Sequence, residues 1–286
     1  MSGIDDLPPL REVIAQHGLS ARKELGQNFL FDLNLTGRIA RAAGNLSRAT
    51  IIEIGPGPGG LTRAMLAAGA KKLIVIERDQ RVCPILEEIS AAYPGRMQII
   101  EADALEIDPV SLTDGPIKVV ANLPYNVATP LLTGWLTHKD WSTRFESLTL
   151  MFQREVADRI TTGPGSKTYG RLSVLCAWKA ERRKLFDVSR SAFTPPPKVT
   201  SSIVQLVPRQ NVRDVPLGLF EEVTRSAFGQ RRKMVRQSLK GLDVSMEALL
   251  DAANLKGTER AEELALDQFL DLAEAVGRAR SKQLSD

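Results

Sequence analysis

The sequence predicts an α/β protein with a doubly wound, mostly parallel sheet, followed by a small helical domain. Three observations carry this. Short aliphatic or β-branched runs alternate with helix-period segments from Thr50 to Phe152. A glycine-rich turn follows the first of these runs and opens a helix. Beyond Pro216 every segment has helical spacing.

The elements follow in order. Leu10–His17 reads as a short helix stopped by Gly18. Asp32 can cap a helix that runs to Ala43 and ends at Gly44. Thr50–Ile54, Leu73–Ile76, Met97–Ile100, Ile117–Ala121 and Ser147–Phe152 read as buried strands. Helices are expected at Leu61–Ala68, Arg81–Ala92, Pro130–Thr137 and Arg154–Ile160. After Gly163 the alternation breaks. Arg171–Ala180 reads as a helix, and Lys184–Val188 and Ser202–Val207 as strands around a proline-rich loop, Thr194–Lys198. Pro208–Pro216 reads as a linker. Helices are expected at Leu217–Phe228, Arg232–Leu239, Ser245–Ala253 and Ala261–Val276. The expected domains are therefore 1–208 and 216–286.

The 286 residues are 43% hydrophobic and 25% charged, an ordinary globular balance that excludes wholesale disorder. Cys83 and Cys176 allow one disulfide at most and suggest a reducing compartment. With only His17 and His138 beside them, a His/Cys zinc site is disfavoured. The N-terminal ten residues carry Asp5, Asp6, Pro8 and Pro9 and do not read as a signal peptide. No apolar run is long enough to cross a bilayer. A cytoplasmic monomer without metal or membrane is expected.

Glu53-Ile54-Gly55-Pro56-Gly57-Pro58-Gly59-Gly60 places a nucleoside-bearing ligand at the carboxyl edge of the sheet. Pro56 and Pro58 lack an N–H, which suits a phosphate-free cofactor such as S-adenosylmethionine better than a pyrophosphate. Glu77 ends the second strand, where a carboxylate can accept ribose hydroxyls. Asp103 follows the third and can accept from an adenine amine.

Asn122-Leu123-Pro124-Tyr125 follows the fourth strand, at the same sheet edge. It resembles the [ND]-P-P-[YFW] motif of methyltransferases that act on exocyclic amines. Such an amine is a poor nucleophile because its lone pair is delocalised into the ring. The Asn122 amide oxygen and the Leu123 or Pro124 carbonyl can accept both of its hydrogens, favouring a pyramidal nitrogen and stabilising the charge that grows on it. Tyr125 offers a face on which an extruded base can stack. No strong general base is required, because the methylated ammonium is acidic. Gly26-Gln27-Asn28-Phe29-Leu30, read from its residues alone, is a helix start with an apolar pair.

Together these segments resemble the KsgA family of rRNA adenine dimethyltransferases. The matching stretches are Leu25–Leu30, Glu53–Gly57, Glu77–Asp79, Asp103–Ala104, Asn122–Asn126 and Phe193–Val199. The last stretch favours the housekeeping bacterial enzyme over the resistance methylases of large-subunit rRNA. The resemblance implies a Rossmann-like class I methyltransferase fold, a seven-stranded sheet with one antiparallel strand near Ser202–Val207. It implies dimethylation of the N6 amines of two adjacent adenosines near the 3′ end of 16S rRNA in the assembling 30S subunit, with an accompanying role in ribosome assembly. Asn28, Leu30, Gly55, Glu77, Asp103 and Asn122 would bind S-adenosylmethionine. Asn122, Pro124 and Tyr125 would hold the adenine, with Phe193 on its other face.

The net charge of +4 is unevenly spread: Lys179–Lys240 carries +9 and Gly241–Asp286 carries −5. Arg231, Arg232, Lys233 and Arg236 sit at an expected helix start, where acids are normally favoured, and therefore read as phosphate contacts. Arg22, Lys23, Lys198, Arg182 and Arg183 are further RNA candidates. The competing readings are a large-subunit methylase, an assembly factor with secondary chemistry, and an NAD-dependent dehydrogenase.

Overall fold

A computed structural model describes residues 7–22 and 26–283. The strands are β1 (Phe29–Leu30), β2 (Thr50–Ile54), β3 (Leu73–Glu77), β4 (Met97–Glu101), β5 (Ile117–Ala121), β6 (Phe145–Gln153), β7 (Ala180–Val188), β8 (Phe193–Thr194) and β9 (Ser201–Pro208). Seven of them form one sheet in the order β4-β3-β2-β5-β6-β9-β7. The pairs β2–β3, β3–β4, β2–β5 and β5–β6 are parallel, and β9 runs antiparallel to β6. Every residue of β2, β3 and β5 is buried, as expected for mostly aliphatic strands with helices covering both faces, and Glu53, Glu77 and Lys118 are buried among them. The strand order reverses at β2, so loops after β2 and β5 diverge and leave a crevice at the carboxyl edge.

The helices are α1 (Leu10–Gln16), α2 (Leu33–Ala42), α3 (Gly60–Ala67), α4 (Cys83–Ala92), α5 (Tyr125–Thr137), α6 (Trp141–Arg144), α7 (Arg154–Thr161), α8 (Arg171–Lys179), α9 (Leu217–Gly229), α10 (Val235–Ser238), α11 (Met246–Ala252) and α12 (Leu266–Gln283). Asp32 caps α2 as expected, accepting from Asn34 N at 2.9 Å and Leu35 N at 3.2 Å. Helix α5 starts a turn earlier than expected, with Pro130 inside it. Arg63, 2% exposed, donates to the carbonyls of Pro8 and Leu7, so the chain ahead of α1 is tied to α3. Neither Cys83 nor Cys176 is in a disulfide. No helix among the described residues is long and apolar enough to cross a membrane.

Contacts divide the chain into two compact units, 1–157 with 181–208, and 158–180 with 209–286. This departs from the expected division, which assigned 158–180 to the first domain. Within the second unit, Trp178 packs on Phe220 with ring centroids 4.4 Å apart, and Phe228 stacks on Phe269 at 5.5 Å. Helix α8 is thereby part of the helical core. The 209–216 segment is also bound there, since Arg209 N donates to Lys179 O and Trp178 Nε1 to Arg213 O.

The expected helix Arg232–Leu239 is reduced to the single turn of α10. Residues 230–233 form turns instead, and Met234 bridges to Arg260. Arg231, Arg232 and Lys233 therefore precede the helix, and Arg236 lies within its single turn.

Glycine is required at the start of α3. A Cβ on Gly60 would lie 2.5 Å from the Leu30 carbonyl oxygen, a backbone atom that cannot swing aside. Gly60→Ala is expected to destabilise the chain by about 1–3 kcal/mol and to weaken cofactor binding by displacing Leu30. Thermal melting and ligand calorimetry check both.

Candidate methyl-transfer site

The carboxyl edge of the sheet holds a cavity lined by the 26–30 segment, the 53–61 loop, Ile76–Arg78, Ala102–Ala104 and Asn122–Val127. Asn28, Leu30, Gly55, Glu77, Asp103, Asn122, Pro124 and Tyr125, all named from sequence, line it together.

Three donors of the glycine loop are spent internally. Gly55 N donates to Ile76 O, Gly57 N to a Glu77 carboxylate oxygen at 3.1 Å, and Gly59 N to Pro56 O. Pro56 and Pro58 have none to give. This loop is poorly equipped for a pyrophosphate, which needs a nest of free N–H groups.

The cavity is instead rich in carboxylates. Glu77 is 7% exposed and accepts from three backbone N–H groups, Arg78 and Asp79 on Oε1 and Gly57 on Oε2. Burial raises its pKa, and these hydrogen bonds oppose the rise. A carboxylate has about four acceptor positions, so the spare one is on Oε2. The expected grip on both ribose hydroxyls is thus narrowed to one while the Gly57 bond holds. Asp103 receives Arg78 Nη1 at 3.1 Å and Leu105 N at 3.0 Å. Glu53, not assigned from sequence, is fully buried, accepts from Thr62 Oγ1 at 2.6 Å, and lines the cavity. Desolvation pushes its pKa up to about 8, so it is mostly protonated at neutral pH.

Asn122 Nδ2 donates to the Asn28 carbonyl at 3.2 Å. The amide is thereby oriented, and its Oδ1 meets no protein donor among the described residues. The Pro124 carbonyl caps α5, accepting from Val127 N and Ala128 N, both at 3.1 Å. Both of its lone pairs are engaged. Of the two carbonyls left open by the sequence, the Leu123 oxygen is therefore the available acceptor, and Pro124 is corrected to a helix cap. Tyr125 is half-buried, and its hydroxyl shares a 2.7 Å hydrogen bond with Ser201 Oγ.

Phe193 is a second correction. It is 3% exposed and does not line the cavity. Its backbone pairs with Leu30 in the two-stranded ribbon β1–β8, and its ring joins the core with Phe29 and Val188. It supports the wall from behind. Gln27 was missed. Its Nε2 donates to Asp79 at 2.8 Å and its Oε1 accepts from Arg22 N, fastening the 26–30 wall to the loop after β3. The charged Asp79 beside Glu77 was the available signal.

Among the expected RNA contacts, Arg22, Lys198, Arg232, Lys233 and Arg236 are exposed. Lys23 lies outside the described residues. Arg231 is engaged, its Nε 2.8 Å from Glu262 and its Nη2 donating to Lys167 O. Its charge is already partly answered within the second unit.

Residues 18–277 match the family model described as ribosomal RNA adenine dimethylase. The chain belongs to this family. Relatives in Azorhizobium caulinodans (61% identical over all of this chain and 99% of the relative) and Xanthobacter autotrophicus (60%, 98% of each) are both called ribosomal RNA small subunit methyltransferase A. Among solved structures, a Plasmodium falciparum dimethyladenosine transferase superposes with TM-score 0.75 at 24% identity, covering 88% of this chain and 98% of that one. The 23S rRNA methyltransferase ErmE gives 0.66 at 27%, covering 87% and 100%. The fold is that of these Rossmann-like methyltransferases.

The Glu53 carboxyl gives a pH signature. Its native pKa is raised, so the native state holds a proton that the unfolded chain, titrating near 4.5, has lost. Its contribution is complete below the unfolded value and is lost as pH rises through about 8. Melting temperature in ligand-free buffer should therefore decline across this window in the wild type. The decline should be shallower in Glu53→Gln, which keeps an acceptor for Thr62.

Proposed function

We propose that this chain transfers methyl groups from S-adenosylmethionine to the N6 amines of two adjacent adenosines near the 3′ end of 16S rRNA, acting on the assembling small ribosomal subunit. The observation that carries this reading is the pair of free acceptors at the end of β5, Asn122 Oδ1 and Leu123 O, beside a cavity of carboxylates and spent loop donors.

The cofactor assignment follows from donor chemistry. Buried and half-buried carboxylates at Glu77 and Asp103 suit a cationic, hydroxyl-bearing nucleoside. The occupied N–H groups of the glycine loop disfavour NAD. Glu77 Oε2 would take a ribose hydroxyl and Asp103 an adenine amine, with Asn28, Leu30 and Gly55 forming the walls. When bound, S-adenosylmethionine supplies an electrophilic methyl group.

The chain's part in the transfer is to hold the amine. Asn122 Oδ1 and Leu123 O accept its two hydrogens and localise the lone pair on nitrogen. As positive charge grows there, the same two oxygens stabilise it more than they stabilised the neutral amine, which is the differential binding that lowers a barrier. Tyr125, steadied by Ser201, stacks on the base and limits its tilt. The surplus proton leaves the ammonium product without a dedicated base, in keeping with a cavity lined by no histidine.

The small-subunit substrate is supported by the 60–61% identity to proteins bearing that name, against 27% to a 23S enzyme. Cytoplasmic action and a part in subunit assembly belong to this reading.

Two outcomes test it. Asn122→Ala should lower methyl incorporation into undermethylated small subunits by at least about 100-fold, while rRNA affinity stays within a few-fold; full activity would remove the mechanism. Arg232→Glu with Lys233→Glu should weaken rRNA binding and flatten its salt dependence. Arg231→Gln should do so less, because Glu262 already answers that charge.

A further inference from the structure

The first unit carries an open groove that no step of the methyl transfer uses. It has a volume of about 620 Å³ and is bounded by Arg11, Phe31, Arg38, Ser191 and Thr194. A neighbouring depression formed by Arg190, Pro196, Pro197 and Lys198 shares Ser189 and Ser191 with it, so the two are continuous.

The ribbon β1–β8 is the wall between this groove and the cavity. Phe29 and Leu30 line the cavity, and the next residue, Phe31, lines the groove. Consecutive Cα atoms lie about 3.8 Å apart, so the two sites begin within one residue of each other. On the facing strand, Thr194 pairs with Phe29 and also lines the groove.

The cations along the groove have no carboxylate partners among the described residues. Arg38 stands 3.7 Å above the Phe186 ring centroid, and Arg11 lies 6.0 Å from that of Phe31. Arg190 Nη1 donates to the Lys198 carbonyl at 3.1 Å. Among the described residues, none of Arg11, Arg38, Arg190 and Lys198 forms an ion pair. Two acids, Asp32 and Asp187, also line the groove. Asp32 caps α2, and Asp187 accepts from Ser202 Oγ at 2.6 Å and lies 3.9 Å from Arg154. A guanidinium stacked on an aromatic face is held in place while its N–H edge stays open, an arrangement suited to a phosphate oxygen pair.

We propose that this groove, through Arg11, Arg38 and Arg190, binds the sugar–phosphate backbone of the RNA strand whose adenine enters the cavity. The assignment rests on the RNA-methylation reading. A base turned into a pocket leaves its own phosphates at the rim, and the rim next to the ribbon is where these unanswered cations stand.

The test measures binding of the full chain to undermethylated small subunits and to a labelled rRNA fragment across a salt series. In Arg11→Gln with Arg38→Gln, affinity should fall by at least about 10-fold, and the slope of log K against log salt should shrink by about 2. Affinity for S-adenosylhomocysteine and the melting temperature should be unchanged. Arg190→Gln, on an exposed turn, should reduce the slope by about 1, and covers the case in which the double variant folds poorly. Wild-type affinity and slope in well-folded variants would overturn the proposal. Methyl transfer by the wild-type chain is read on the same subunits. Its absence would count against the methylation reading, whereas the groove is judged on the binding slopes alone.

Discussion

The site depends on one hydrogen bond, from Asn122 Nδ2 to the Asn28 carbonyl. A carbonyl can only accept, so it decides which end of the Asn122 amide faces the wall and which faces the cavity. The bond also joins two segments 94 residues apart, the 26–30 wall and the loop after β5. Such a bond adds roughly 1 kcal/mol to stability, so its weight is geometric. It fixes Oδ1 before any substrate arrives. Capping of α5 by Pro124 acts in the same direction, leaving Leu123 O as the second acceptor. Acceptors already in place need little reorganisation as charge develops, which is where an electrostatic contribution to catalysis comes from.

The same wall constrains the ligand. Gly60 permits contact with Leu30, Gln27 fastens the segment to Asp79, and Phe193 backs it through the β1–β8 ribbon. Behind the glycine loop, Glu53 and Glu77 face each other closely enough to raise the Glu53 pKa, though desolvation is the larger cause. A protonated Glu53 removes one of two neighbouring buried negative charges. Glu77 can then remain an acceptor with support from three N–H groups.

The sheet was legible because its central strands are buried on both faces and so consist mostly of aliphatic residues. Glycine and aspartate punctuate them at the places where the ligand site later forms. What escaped sequence reading is mostly a matter of which polar atom is already occupied. Nothing in Leu123-Pro124 reveals that the proline carbonyl caps α5. Nothing near Phe193 reveals that it pairs with Leu30 and turns inward, since the partner lies 163 residues away. The helix expected from Arg232 failed because apolar spacing begins only at Val235, while Met234 is drawn into a bridge with Arg260. Residues 158–180 joined the second unit through the aromatic packing of Trp178 and Tyr169, contacts with no local signature.

The charge pattern shows the same distinction between composition and availability. A +9 block followed by a −5 block suggests a large cationic surface. Within the second unit part of this charge is paired internally. Arg213 pairs with Asp271 and Glu274, Arg280 grips both oxygens of Glu222, and Arg231 meets Glu262. Pairs this exposed add little stability, yet each removes a cation from the set free to meet a polyanion. Neutralising a phosphate requires a cation not already neutralised, because the gain comes from releasing the counterions condensed on the nucleic acid. By that criterion Arg232, Lys233 and Arg236 stand out in the second unit, and Arg11, Arg38 and Arg190 in the first. The last three are set off by aromatic or carbonyl partners in place of carboxylates. An arginine's partner, more than its position in a basic block, decides whether it can hold RNA.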